Sequence, residues 1–174
     1  TGEMSTLFGL PNNPMGLVWD GEYFWIGSYT GNVYGYDMNG DQVGSFSVPF
    51  AYYPGLTWDG EYFICWEYGG YNEPIYIVDY EGQTIATYTN SVTEGSARSI
   101  AWIPEHDNGH LWLTDDSYSM YRVDLNDEGY LESISSFDMP AYGYGTFGHD
   151  GTDMWWADSG GGLYIIDDGI EEGT

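Results

Sequence analysis

Carboxylates recur at one position in three of four similar stretches of the chain. Glu67, Asp115 and Asp158 each end a short apolar segment, and Ser28 takes the corresponding place in the first stretch. Carboxylate oxygens are the ligands that Ca²⁺ prefers in proteins, and carboxylates beside aromatic rings also suit sugars. The alternative is a solvated acidic rim on a chain that is acidic throughout. The candidate residues for a cation or sugar site are Glu67, Asp115, Asp116, Asp158, Tyr53 and Tyr144.

The three histidines form a second group that has metal-binding chemistry. His106, His110 and His149 lie in the first turns of the third and fourth stretches, with Asp107 and Asp150 beside them. Imidazole and carboxylate together suit zinc or another transition metal. The turn of the third stretch is longer than its equivalents, so its path does not follow from the sequence. One hypothesis is a shared metal site. The other is that the histidines lie in surface turns and bind no metal.

The elements that position these groups are repeats. Gly16–Phe24 matches Gly55–Phe63 almost residue for residue, and looser copies begin near Ser99 and Gly145. A second signature (apolar, Tyr, variable, bulky, Asp) ends in an aspartate that recurs at spacings of 42, 45 and 43 residues. The aspartates of this signature are Asp37, Asp79, Asp124 and Asp167.

Each repeat has the pattern of four β-strands. Its segments are short, β-branched or aromatic, and bounded by Gly, Asp, Asn or Pro, whereas no window has a helical period with caps. Pairs such as Asp20-Gly21 and Asp59-Gly60 favour tight hairpin turns. A repeat of about 40 residues with four strands has the size of a propeller blade. The sequence therefore predicts an all-β, four-bladed β-propeller.

The repeated aspartates have a structural interpretation. An aspartate at the start of a turn accepts a hydrogen bond from the backbone two residues later. A catalytic residue would occur once, whereas these occur in every blade. We therefore expect Asp37, Asp79, Asp124 and Asp167, and likewise Asp20, Asp59 and Asp150, to set turns.

The ends of the chain predict how the ring closes. Residues 5–10 read as the outer strand of a blade, while the last repeat lacks that strand. We expect residues 1–174 to form one domain with repeats at about 14–49, 54–90, 98–140 and 144–170. The N-terminal strand would complete the fourth blade of its own chain or of a neighbour. Exchange with a neighbour would build oligomers or filaments, with Leu7, Phe8 and Leu10 as the assembly residues.

Composition excludes several classes of function. The chain has 28 acidic and 2 basic residues, a formal charge of −26, and Arg98 and Arg122 as its only cations apart from histidine. It cannot neutralise nucleic-acid phosphates, and it has no apolar run long enough for membrane insertion. The single cysteine, Cys65, excludes a disulfide framework and aligns with apolar residues that we expect to be buried.

The repeat resembles extracellular and periplasmic propeller repeats of the virginiamycin-lyase-like and NHL-like kind. The resemblance rests on segments such as Gly16-Leu17-Val18-Trp19-Asp20-Gly21 and Ile75-Tyr76-Ile77-Val78-Asp79. It implies a propeller in which the outer-to-inner and second-to-third strand connections share one face, with the repeated acids around its channel. We expect a non-enzymatic binding or assembly module, extracellular or on the cell surface, with copies of itself or glycans as partners.

Alternatives remain open from the sequence. One is a cation-dependent lyase or hydrolase that uses Glu67, Asp115 and Asp158, and another is a carbohydrate-binding propeller. The chain also fits half of an eight-bladed dimer, or a fragment of a longer propeller. Ca²⁺ is the one cofactor that the acids suggest. The cytoplasm of a halophile is the alternative location, since its proteins are also strongly acidic.

Overall fold

A computed structural model describes residues 9–10, 13–50, 55–106, 110–139 and 145–167, and it consists of β-strands joined by turns. The first repeat forms β1 (Pro14–Trp19), β2 (Phe24–Ser28), β3 (Asn32–Tyr36) and β4 (Gln42–Ser47). The second forms β5 (Gly55–Trp58), β6 (Phe63–Trp66), β7 (Ile75–Val78) and β8 (Thr84–Tyr88). The third forms β9 (Ala97–Trp102), β10 (Leu111–Asp115), β11 (Ser119–Leu125) and β12 (Leu131–Asp138), and the fourth forms β13 (Gly145–His149), β14 (Met154–Asp158) and β15 (Leu163–Ile166).

Each repeat is one antiparallel sheet whose strands pair in chain order. We number the sheets blades 1 to 4. The predicted all-β, four-bladed propeller is confirmed. Blade 4 has three strands among the described residues. The predicted N-terminal strand lies largely outside them, because Leu7 and Phe8 are not described; Leu10 is exposed and is not in a strand. No helix in the described ranges is long and apolar enough to cross a membrane.

Strand pairing aligns the four blades residue by residue. On the inner strands, Leu17, Leu56, Ile100 and Phe147 pair with Ile26, Cys65, Leu113 and Trp156 respectively. These are the positions that the repeat pattern aligned. Cys65 is fully buried, as expected, and burial raises the pKa of its thiol.

Three apolar clusters lie between successive blades. Trp25 and Val33 of blade 1 pack against Leu56 and Phe63 of blade 2. Equivalent clusters join Ile75 of blade 2 to Ile100 of blade 3, and Met120 of blade 3 to Phe147 of blade 4. Blades 2 and 3 thus each present one face to the next blade and the opposite face to the preceding one, and burial of these faces stabilises the fold.

Turn aspartates have the predicted role in most blades. The Asp59 carboxylate accepts hydrogen bonds from the backbone N–H groups of Glu61 and Tyr62, at 2.8 and 2.7 Å. The Asp37 carboxylate accepts from Asn39 and Asp41 in the same way. Asp20, Asp79 and Asp150 likewise accept bonds from the backbone of their own turns.

Blade 3 departs from this pattern at two turns, the one between β9 and β10 and the one between β11 and β12. Asn126 replaces the expected Asp124 as acceptor, bonding the N–H groups of Glu128 and Tyr130, because β11 runs on to Leu125. In the first turn of blades 1 and 4 an aspartate accepts the indole N–H, as Asp20 does from Trp25 (2.7 Å) and Asp150 does from Trp155 (2.9 Å). In blade 3 the equivalent indole, Trp112, donates to Nδ1 of buried His106 at 2.9 Å.

Candidate functional site

The recurrent acids lie at corresponding ends of their sheets, as predicted. β2, β10 and β14 end at Ser28, Asp115 and Asp158, and Glu67 directly follows β6. We call this end of each blade the upper end. The surroundings of the three acids differ from blade to blade, so each is described in turn.

Asp115 is buried and holds two loops together. Its Oδ2 accepts the backbone N–H groups of Glu94 and Gly95, at 2.9 and 2.8 Å, in the connection from blade 2. The Tyr121 hydroxyl donates to the same oxygen at 3.0 Å. Oδ1 accepts both the N–H and the hydroxyl of Ser117. The carboxylate is therefore occupied by its own protein, and with 1% of its surface exposed it is not presented to a ligand.

Asp116 continues this attachment on the solvent side. It accepts the Ser96 N–H at 2.7 Å and forms an ion pair with Arg98 at 3.1 Å. The Arg98 guanidinium also lies 4.7 Å from the centre of the Tyr68 ring, a cation–π contact that links blades 3 and 2. Arg98 therefore joins Asp116 of its own blade to Tyr68 of blade 2.

Asp158 has the same structural use in blade 4. It accepts the Gly162 N–H at 2.8 Å and the Tyr164 hydroxyl at 3.0 Å. The bond from Gly162 is the main reason that the pKa of Asp158 lies below its usual value, and the bond to Asp158 raises the pKa of Tyr164. These bonds favour the ionised carboxylate.

Glu67 is the acid of this group whose surroundings oppose its charge. Partial burial, followed by repulsion from Glu73, raises the pKa of Glu67. The same two carboxylates, after burial, raise the pKa of Tyr76, whose ring lies 5.3 Å from that of Phe50. The Trp66 indole donates to the Glu73 carbonyl at 3.1 Å and holds this loop on blade 2. Two carboxylates thus lie near each other beside aromatic rings, and a bound cation would offset the repulsion between them.

The third-strand tyrosines are the functional partners that the sequence interpretation missed. The hydroxyls of Tyr121 and Tyr164 each donate a hydrogen bond to the upper acid of their own blade, at 3.0 Å in both cases. The signal was present, because this tyrosine recurs one strand away from each acid. The predicted ligand residues Tyr53 and Tyr144 lie outside the described residues.

Of the three histidines, the structure brings two together. The rings of His106 and His149 are 5.3 Å apart, whereas His110 stacks on Trp102 and its Nδ1 lies 3.1 Å from the Ile103 carbonyl. Nδ1 of His106 and Nδ1 of His149 both accept N–H groups, from Trp112 and Gly151. A metal-bound imidazole usually donates its second N–H, so a metal at Nε2 would cost both bonds. Within the described ranges no three His, Cys, Asp or Glu side chains are grouped as metal ligands, and the histidine site stays a prediction.

Comparisons with known proteins support the fold and nothing more specific. No family model and no curated protein matches the chain. Solved propellers do match it. Glutaminyl cyclase of Myxococcus xanthus has a TM-score of 0.66 and 14% identity over 90% of this chain and 66% of its own. BamB of Moraxella catarrhalis has a TM-score of 0.53 and 14% identity over 83% of this chain and 40% of its own.

Two further structures have similar scores. The WD40 propeller domain of Doa1 has a TM-score of 0.57 and 18% identity over 84% of this chain and 47% of its own. The computationally designed Ika4 protein has a TM-score of 0.58 and 9% identity over 95% of this chain and 98% of its own. The chain thus spans less than two thirds of three of these four structures. At such identities they establish the propeller fold alone.

Proposed function

We propose that this propeller is a non-enzymatic binding and assembly module that works outside the cell or at its surface. The observation that carries the proposal is the use of the upper acids. Asp115 and Asp116 accept backbone N–H groups from the connection between blades 2 and 3, and Asp158 accepts one from its own turn, so all three stabilise the blades. An enzyme needs acids placed for a reacting group, and these three are placed for the protein itself.

Glu67 and Glu73 provide the binding part of this proposal. They repel one another in a partly buried setting beside aromatic rings. Ca²⁺ would remove that repulsion, and a sugar could stack on rings such as Phe50 and Tyr76 while its hydroxyls bond the carboxylates. A calcium-dependent glycan contact at the upper end of blade 2 is the ligand class that this geometry supports. A lyase or hydrolase is the second candidate, because Glu67 and Asp158 have pKa values shifted in opposite directions.

The location is inferred from charge. A net charge of −26 keeps copies apart at low ionic strength and is screened by salt or divalent cations. Such a chain suits a saline or calcium-rich medium outside the cell. The cytoplasm of a halophile has the same property and remains the alternative.

Calcium titration tests the Glu67 site. We expect Ca²⁺ to raise the melting temperature, and Glu67→Gln to weaken binding about tenfold, which is about 1.4 kcal/mol. Because the pKa of Glu67 is raised, affinity should begin to fall at a higher pH than for an ordinary carboxylate. Glu81→Gln removes an exposed carboxylate from a lower turn of the same blade and serves as the control. Equal calcium affinity in both variants would show that Glu67 is not a calcium ligand. Binding to a glycan array with and without Ca²⁺ tests the sugar hypothesis independently.

The assembly part of the proposal concerns residues 5–10. They precede β1 by a few residues and have the pattern of the outer strand that blade 4 lacks among the described residues. We expect deletion of residues 1–10 to lower the melting temperature, and to reduce particle mass if the strand joins a neighbouring chain. Light scattering measures the mass. An unchanged melting temperature and mass would mean that these residues complete no blade.

A further inference from the structure

The boundary between blade 4 and blade 1 differs from the other three boundaries. No cluster of buried residues among the described ranges joins these two blades, whereas every other pair of neighbouring blades shares one. Leu17 on the inner strand of blade 1 is 65% exposed, although its equivalents Leu56, Ile100 and Phe147 are 5%, 7% and 8% exposed. The face of blade 1 that should meet a preceding blade is therefore largely uncovered along its inner strand.

The matching face of blade 4 is uncovered as well. Leu163 on β15 is 66% exposed, while Val33, Ile75 and Met120, which take its place in the other blades, are 0% exposed. Ile165, two residues along the same strand, is also exposed. Both edges of the set of four blades thus present apolar side chains of the kind that the other boundaries bury.

The described strand residues of these two faces carry no charge, although the chain has 28 acidic residues. By strand register, the open face of blade 4 consists of Thr146, Gly148, Trp155, Ala157, Leu163 and Ile165. The inner strands of the open face of blade 1 contribute Leu17, Trp19, Phe24, Ile26, Tyr34 and Tyr36, of which Ile26 is already buried. Interface cores are depleted in charged residues in the same way, and neighbouring exposed apolar side chains such as Leu163 and Ile165 are typical of an interaction site.

The repeat itself identifies the partner. In each packed boundary, the residue equivalent to Leu163 shares a cluster with the residue equivalent to Leu17: Val33 with Leu56, Ile75 with Ile100, and Met120 with Phe147. The open face of blade 4 is therefore complementary to an open blade 1 face. This chain also matches 40% of BamB and 47% of the Doa1 propeller domain, which are longer than it is. The arrangement of its four blades is therefore compatible with a ring of more than four blades.

Building on the proposed assembly role, we infer that two copies of this chain close one eight-bladed ring, with blade 4 of each packed on blade 1 of the other. A rotation that closes after two copies gives two identical boundaries and leaves neither open face exposed. The occupant of both open faces is thus a second copy.

Particle mass and single substitutions test this ring. At moderate salt we expect twice the 19.5 kDa chain mass by light scattering. We expect association of the two copies to be weakened by at least about 100-fold in Leu17→Asp or Leu163→Asp, since a buried unpaired carboxylate is strongly unfavourable. Ile85→Asp is the control, because Ile85 is also exposed (52%) but lies on the outer strand of blade 2. Both test positions are exposed in the single chain, so the variants should fold, which circular dichroism checks.

A cross-linking experiment separates closure between chains from closure within one chain. In the double variant Leu17→Cys/Leu163→Cys, a short bismaleimide should give products of two chains, while buried Cys65 stays unmodified. Products of one chain, or a monomer at every concentration, would overturn the two-copy ring and leave the calcium and glycan proposal standing. Open-ended particles would overturn the closed ring while keeping the assembly role. If the two-chain ring forms but binds no Ca²⁺, only the proposed calcium site is overturned.

Discussion

Replacing Asp115 with alanine is expected to lower the free energy of unfolding by about 3–5 kcal/mol. The carboxylate is buried and accepts two backbone N–H groups from the connection between blades 2 and 3. It also accepts the hydroxyl of Tyr121. Without it these donors are left buried, and each loses a bond to a charged acceptor. Urea denaturation followed by circular dichroism measures the change, and the slope should stay constant if only the folded state is affected.

The charge of the chain makes the control for Asp115 essential. Removing any carboxylate from a chain of net charge −26 reduces repulsion, which acts in the stabilising direction. Asp138→Ala removes an exposed carboxylate from β12 and measures that effect alone. Asp115→Asn keeps the shape and one carbonyl oxygen, so we expect a loss of about half that of Asp115→Ala. A loss below about 1 kcal/mol in Asp115→Ala, after correction by Asp138→Ala, would contradict the structural role of this carboxylate.

The architecture was predictable because each repeat carries its own turn chemistry. The aspartates at the strand ends bond the backbone two residues on, as Asp59 bonds Glu61 and Asp79 bonds Glu81. This interaction is local, so sequence spacing alone reveals it. Four copies at near-constant spacing then determine the number of blades, and the alternation of strand residues determines which faces are buried.

Blade 3 shows where this reasoning stops. His106 takes the place of the aspartate that accepts an indole N–H in blades 1 and 4, and Asn126 takes over the turn expected at Asp124. Both substitutions depend on the path of a longer turn or strand, which spacing does not determine. The sequence interpretation therefore treated His106 as a surface group, whereas the structure buries it.

The upper acids show the same limit for function. Asp115 and Glu67 occupy equivalent positions in the sequence, and nothing in the repeat distinguishes them. Burial and hydrogen bonding separate them, because Asp115 meets the loop from blade 2 while Glu67 meets Glu73. Loop geometry between blades is a tertiary property, so the choice between a structural and a ligand-binding carboxylate required the structure.

The second large effect is expected from Gly35 on β3. Strand propensity alone predicts that Gly35→Val stabilises the sheet, since valine is favoured and glycine disfavoured in strands. The structure predicts the opposite. A Cβ atom at this position would lie 2.8 Å from the Trp25 ring, and one at Gly44 would lie 3.3 Å from it. The indole therefore lies over two glycines, and it holds Phe63 of blade 2 at a ring distance of 5.1 Å.

We expect Gly35→Val to lower the free energy of unfolding by about 1–3 kcal/mol, the usual cost of overpacking. The Trp25 ring would have to leave its place, and its bond to Asp20 and its contact with Tyr80 would be lost with it. Gly148→Val is the control when it is measured at a concentration at which the chain is monomeric, because a Cβ at this position meets nothing within 4 Å in the single chain. A double-mutant cycle with Trp25→Leu decides the cause. If Gly35→Val lowers the free energy of unfolding by the same amount in the Trp25→Leu background, the clash with Trp25 is not the reason. If Gly35→Val costs nothing in that background, this one ring fixes the packing between blades 1 and 2.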